Sequence, residues 1–450
     1  MVDKLEQADS PQPPPNQRQK PWHALALLLA LWAMSSAGAY LLLVRPRGEL
    51  FDFYPRWYGA RAMLHGINPY SAEITRGIQQ SGLALKDWSL SSVFLYPATI
   101  TYLLLPFWLL PFEISVSLWN GLQLLLVMAA PVLVFLQLGW RPKPLTLAGV
   151  TLFSSLIYRH SINVFVLGQF TVFVLAALII ACWGVQSRRD WLAAFALAAA
   201  SIRPEGMLLV GAFALDLLLR RNFKVIGRFC AVMGVALALS FAQIGFWLPD
   251  FAAAVLEHAD LGFSSLPLGL LGSDTVMLAS IVILLFWALW MVRQMGRLGD
   301  QNRLPRGISV AILFVLIALP QTNSYTLVYA LLPLWLIMRE DEGQGWLSIG
   351  AYLLMFSPWL FLLGKERWGL PSTLEQLLLP IMVGGLFTGA WLTAGRTRLV
   401  QSVDRPHDEP RQHSLSHLNE PRGPAPSQAA LDQGARPGGR DLRVAARHDA

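Results

Sequence analysis

Cysteine is almost absent, with Cys182 and Cys230 the only two in 450 residues. Both lie inside apolar segments, which excludes a disulfide framework, and no redox motif is present. Charge is also scarce, at 14% of residues against 54% hydrophobic, too little to clothe a water-soluble domain of this length. Within the apolar part of the chain the histidines His23, His65, His160 and His258 stand far apart, so no metal-ligand spacing occurs there. A glycine-rich loop to cradle phosphate is missing, as is a soluble nucleotide-binding domain, and no cofactor is called for. A polar tail containing Pro11 and Pro13 to Pro15 precedes the first apolar run without a small-residue cleavage site, so that run reads as a retained anchor.

What the chain does have is hydrocarbon in long blocks, many near the ~20 residues needed to cross a bilayer core. The fold class is therefore an all-α polytopic membrane protein. Trp22 to Val44 is the first span, and later ones read as 113–138, 143–158, 163–185, 190–203, 205–219, 224–247, 275–293, 307–320, 323–338, 346–363 and 374–395. Basic clusters separate them: Arg141 and Lys143; Arg188 and Arg189; Arg220, Arg221 and Lys224; Arg293, Arg297, Arg303 and Arg306; Arg396 and Arg398. The net charge of +7 sits in these loops, where it faces anionic membrane lipids; no nucleic-acid partner is implied. All the clusters stay cytosolic if the proline-broken segment Val93 to Pro111 does not cross. That gives about twelve spans, both ends inside, and an external juxtamembrane loop over residues 45–112. Residues 1–21 and 396–450 read as disordered cytosolic tails, the second because it is rich in Pro, Gly and charge with almost nothing to bury; residues 22–395 form the membrane domain.

The external loop carries the stretch Phe51-Asp52-Phe53-Tyr54-Pro55-Arg56-Trp57-Tyr58, running on to Gly66-Ile67-Asn68-Pro69-Tyr70. A carboxylate beside a membrane surface is not needed for spanning. Pro55 can open a helix and Gly66 can end it, with Trp57, Ala60, Arg61 and Leu64 on one interfacial face. Asp52 is then either a helix cap or a functional group. Residues 190–219 read best as a hairpin whose outer tip is Arg203-Pro204-Glu205. Its legs are short, so Arg203 lies below the surface, where a guanidinium needs an anionic partner. Asn68-Pro69 reads as a turn.

Taken in order, several features resemble family 87 glycosyltransferases. They are an Asp-aromatic pair after the first span, Gly66-x-Asn68-Pro69-Tyr70, Tyr96-Pro97 opening an apolar segment, Gly168-Gln169 opening a span, Arg203-Pro204 after a small-residue helix, and a Pro320-x-Thr322 turn. The resemblance covers about residues 22 to 395, and each motif is short, so order and spacing carry it. Tyr325 stands where the family commonly has histidine, and Arg203 where it has lysine. The resemblance implies a GT-C-like fold, a polyprenyl-phosphate-linked sugar donor, a lipid or glycan acceptor, and a site on the outer face of the cytoplasmic membrane. The sugar is then a hexose, with mannose favoured. The lack of a nucleotide domain speaks in the same direction, against a cytosolic sugar nucleotide.

Such chemistry needs one general base for the acceptor hydroxyl and cations for a leaving phosphate. Asp52 is the expected base, kept ionised by the loop arginines. Arg203 is the expected phosphate ligand, with Arg56, Arg61 and Gln169 as further contacts to phosphate or sugar. Tyr96 and Tyr54 complete the substrate-contacting set, lining the groove and excluding water. The competing class is a secondary transporter, since many broken spans also describe carriers. Carriers, however, gather polar groups at the midplane and show a half-length repeat, neither of which is found here.

Overall fold

The computed structural model describes residues 21–47, 52–80, 93–262, 273–295, 300–318, 324–342 and 345–403. Phe51, the turn around Pro320 and Thr322, His258 and Asp260 of the 249–273 loop as side chains, and most of both tails lie outside what is described. The chain divides into two units, residues 1–396 and 397–450; of the second, only 397–403 are described, as helix.

Among the described residues there are helices and no strands. Numbering those of eight or more residues in chain order gives α1 Pro21–Ala39, α2 Phe53–Leu64, α3 Ala72–Gln79, α4 Phe112–Gln137, α5 Pro144–Leu152 and α6 Arg159–Leu167. Next come α7 Thr171–Gln186, α8 Asp190–Ala200, α9 Pro204–Leu219, α10 Phe223–Ile244 and α11 Leu248–Gly262. The last are α12 Asp274–Met295, α13 Asp300–Ala318, α14 Leu331–Glu340, α15 Trp346–Trp368 and α16 Ser372–Val403.

Among the described residues, six stretches are long and apolar enough to cross a membrane: Trp22–Val44, Phe112–Gln137, Phe223–Ile244, Thr275–Met295, Trp346–Trp368 and Thr373–Thr393. Pro144–Ile157 and Arg159–Leu167, bent by 52° at Tyr158, make a seventh if they count as one broken span. The count of about twelve read from hydropathy is thus not matched by helix length. Residues 190–219 show why. They form two helices of 11 and 16 residues joined by a short turn, about 17 and 24 Å long, short of the ~30 Å hydrocarbon core. Apolar sequence here serves burial inside the bundle as well as spanning.

The interior is built on α7, whose buried face includes Val172, Leu175, Leu178 and Ile179. The alanine-rich α8 lies against it so closely that a Cβ on Gly184 would come within 2.7 Å of the Ala193 backbone nitrogen. A 3-10 turn, Ser324–Ala330, buried from Tyr325 onward, leads into the equally buried start of α14. On the outside the logic is reversed. In Thr275–Met295 only 6% of the spanning window is buried, and Leu278, Ile283, Phe286 and Leu289 point outward, as a lipid-facing surface requires.

Segment 93–111 is not a continuous helix. It contains two one-turn helices, Ile100–Leu103 and Leu105–Trp108, neither long enough to span. With α2 and α3 it forms a block docked on α10 and α11. Tyr70 donates to the Tyr96 carbonyl (2.6 Å), Tyr102 to the Leu239 carbonyl (3.0 Å) and Asn68 to Asp250 (2.6 Å), while Tyr70 stacks on Trp247. Asn68 Oδ1 also accepts from the Tyr70 N–H at 3.0 Å, the turn its sequence suggests.

Candidate active site

The start of α2 differs from its sequence reading in two respects. The helix begins at Phe53, two residues before Pro55, and it is buried at Phe53, Tyr54, Pro55, Arg56, Gly59, Ala60, Ala62 and Met63 instead of lying in the interface. Close contact explains the second point: a Cβ on Gly59 would strike the Phe94 ring. Asp52 occupies the N-cap position but its side chain caps nothing. The carboxylate is 6% exposed and turns inward, where Gln169 Nε2 donates to its Oδ2. Asp52 Oδ1 is buried and has no hydrogen-bond partner among the described residues.

Gln169 lies in the tight link between α6 and α7. Gly168, at φ +66°, closes α6 in the left-handed region and so lets the chain turn into α7. The Gln169 carbonyl accepts from Trp119 Nε1 at 3.3 Å and from Gln123 Nε2, both on α4. Its side-chain oxygen accepts twice, from Arg56 Nη2 at 2.9 Å and from Arg203 Nη1 at 2.8 Å. Arg56 sits one turn along α2 and also donates from Nη1 to the Asp52 carbonyl.

Arg203 is the extended residue at the α8–α9 tip, with φ −122° and ψ 149°. Glu205, in the first turn of α9, holds it at both oxygens: Nε to Oε2 at 3.2 Å and Nη2 to Oε1 at 2.8 Å. The anionic partner that a sunken guanidinium demands is therefore internal. Tyr96 lies 4.6 Å and Phe170 5.2 Å from the Arg56 guanidinium, and Tyr325 5.2 Å from that of Arg203, ring faces that favour cations. Phe53 closes one side by packing on Trp108, Trp119 and Phe170 with centroids 5.5–5.9 Å apart.

Five residues singled out in the sequence thus meet: Asp52, Arg56, Tyr96, Gln169 and Arg203. Two do not. Arg61 leans on Trp57 at 4.8 Å and donates to the Leu110 carbonyl at 3.4 Å. Tyr54 packs on Phe112 at 5.2 Å and on Tyr58 at 5.8 Å. Glu205 was missed, although a carboxylate two residues after a sunken arginine is a readable signal. Tyr325, noted in the sequence only as a departure from histidine, takes the place under Arg203.

Electrostatics correct one further expectation. Burial pushes the Asp52 carboxyl above its ordinary range, and Arg56, the Gln169 hydrogen bond and Arg203, which oppose this, do not cancel it. Neither guanidinium forms an ion pair with the carboxylate among the described residues; Gln169 stands between them.

A second polar group ties α6 to α16. Arg159 Nη1 lies 3.0 Å from Glu375 Oε2, and His160 Nε2 2.9 Å from Glu375 Oε1. The same helix reaches the 3-10 turn through Asn163 to Ser324 (3.3 Å), and Tyr158 just before it through the Leu327 carbonyl (2.7 Å). No cluster of three or more His, Cys, Asp or Glu able to hold a metal occurs among the described residues.

No curated protein and no solved structure matches the chain. A family model described as glycosyltransferase family 87 matches residues 94–358, more than half of it. That stretch includes Tyr96, Gln169, Arg203, Glu205 and Tyr325, while Asp52 and Arg56 precede it.

Proposed function

The chain belongs to glycosyltransferase family 87 and is a membrane glycosyltransferase, and from that premise we propose the following reaction. A hexose, with mannose favoured, moves from a polyprenyl-phosphate donor to a lipid or glycan acceptor at the outer face of the cytoplasmic membrane. The observation that carries this reading is the buried union of Asp52 with Arg56 and Arg203 through Gln169. It joins a proton acceptor to two cations, which is what transfer from a lipid phosphate requires.

The acceptor O–H gives its proton to Asp52 Oδ1, the oxygen without a partner. Its oxygen forms the new bond to the anomeric carbon as the bond from that carbon to the phosphate oxygen breaks. The electron pair leaves on the phosphate, so no general acid is needed. Arg203 commits three of its five N–H donors to Glu205 and Gln169, leaving two for phosphate oxygens. Arg56 adds charge beside it, and Tyr96 lines the groove. Arg61 and Tyr54 belong to the wall of this region and are not assigned a substrate contact.

A base with a raised pKa is better matched to neutral pH than an ordinary carboxylate. The outward orientation is supported by the basic loops, which the positive-inside rule keeps cytosolic. The decisive experiment incubates membranes containing the protein with a panel of labelled polyprenyl-phosphate sugars and identifies the product. In single turnover, Asp52→Asn is expected to slow transfer by about 10²- to 10⁴-fold, the range for loss of a general base, with donor binding unchanged. Near-normal transfer by that variant would remove Asp52 from the role.

A further inference from the structure

Each polar atom of Gln169 already has a partner inside the protein. Its backbone N–H donates to the Val164 carbonyl, its own carbonyl accepts from Trp119 and Gln123, its side-chain oxygen accepts from two arginines, and one of the two N–H groups of its amide donates to Asp52. The network also fixes which way the amide points, since an oxygen must face the guanidiniums and a nitrogen the carboxylate. The residue is 0% exposed. Reversing the amide would set donors against donors on one side and acceptors against acceptors on the other.

We propose that Gln169 is a positioning residue, not a sugar ligand. It occupies Asp52 Oδ2, leaves Oδ1 as the one oxygen able to take the acceptor's proton, and keeps both guanidiniums off the carboxylate. This rests on Asp52 being the base. The consequence is chemical. A guanidinium placed directly on Asp52 would hold the carboxylate ionised but make it a poor proton acceptor. An intervening neutral amide transmits orientation without that loss. It also links the two halves of the reaction, because one side chain sets both the base and the cations. The groups facing Asp52 are Arg56 from α2 and Arg203 from the α8–α9 tip, with Glu205 behind Arg203 and the phenols of Tyr96 and Tyr325 alongside.

The test reads Asp52 directly in the full-length protein in detergent. Infrared difference spectra between pH steps report the carbonyl stretch of the protonated acid, assigned by its loss in Asp52→Asn. Gln169→Glu is isosteric and keeps an acceptor for each arginine, but it faces Asp52 with a second carboxylate. The titration should move upward by about one to two pH units. Gln169→Met keeps the volume, and with it the spacing, but removes the only hydrogen-bond donor to Oδ2. It should move the titration upward by about one unit.

Binding of farnesyl-phosphate mannose is measured in parallel, to separate a change at Asp52 from a loss of the donor site. An unmoved titration in Gln169→Glu overturns the proposal, and unmoved titration with lost probe binding assigns Gln169 to the sugar instead. If Gln169→Glu does not fold, Gln169→Met decides by the same criterion. Failure of the base assignment is seen separately, as normal turnover of Asp52→Asn.

Discussion

Burying the Asp52 carboxylate has a cost in stability that the protein can be made to reveal. Its folded pKa is raised by burial, so the ionised carboxylate is better solvated in the unfolded chain. The contribution to stability is fully present below the ordinary carboxylate pKa and is lost as pH rises through the folded value. Asp52→Asn is therefore expected to raise the thermal midpoint at neutral pH while slowing transfer, and the difference should shrink as pH falls through the raised folded value and be gone below about 4. Scanning calorimetry of both proteins from acidic to neutral pH checks this. Arg203 gives a second residue-scale prediction. Arg203→Ala should impair donor use severely, whereas Arg203→Lys keeps charge but loses the fork that engages Glu205 and Gln169 together, and should retain part of it. Equal, mild effects on donor binding would mark Arg203 as structural.

At the scale of elements, the site depends on how tightly α8 and α9 meet. Gly206 allows that turn, because a Cβ there would fall on the Ala200 carbonyl oxygen. Gly206→Ala should cost about 1–3 kcal/mol of overpacking and displace Arg203, seen as a lowered thermal midpoint together with weakened donor binding. The tie between α6 and α16 acts at a distance. Glu375 is 5% exposed as a side chain and serves both Arg159 and His160, and α6 in turn holds the 3-10 turn that brings Tyr325 under Arg203. Glu375→Gln should lower stability by roughly 3 kcal/mol, the lower end for breaking a buried pair because Arg159 keeps some access to solvent. Thermal unfolding in detergent measures it, with turnover at low temperature much less affected.

For the whole molecule, the open question is which side of the membrane each part faces. Single cysteines at Gln80 and Glu113, both exposed, bracket the broken segment in a background lacking Cys182 and Cys230. Both should react with an impermeant thiol reagent added outside; labelling of only one would mean that the chain crosses between them. Much of the architecture was legible beforehand. Pro97, Pro106 and Pro111 marked that segment as irregular, and it proved to hold two single helical turns. The basic ends of 190–219 suggested that the chain turns between two helices there, and it does so at 201–203, with Arg203 at the start of the second. Hydropathy could not separate spanning helices from buried ones, since both exclude water, and helix length among the described residues supports six or seven of the twelve spans it suggested.

The sequence by itself determined that this is a helical membrane protein and that its family is glycosyltransferase family 87, and it singled out the polar residues proposed to act. Tertiary structure alone decided how those residues are wired. Nothing local to Asp52, Gln169 and Arg203 states that one amide joins them, because the contacts span more than 30 residues of chain and depend on where three helices pack. The same distance hid the roles of Glu205 and Tyr325, and it separated Arg61 and Tyr54 from a cluster they adjoin in sequence. The protonation of Asp52 was decided there too. Charge can be counted along a chain, but the loss of water that raises a buried carboxyl's pKa exists only once the aromatic walls of Phe53, Trp108, Trp119 and Phe170 have closed around it.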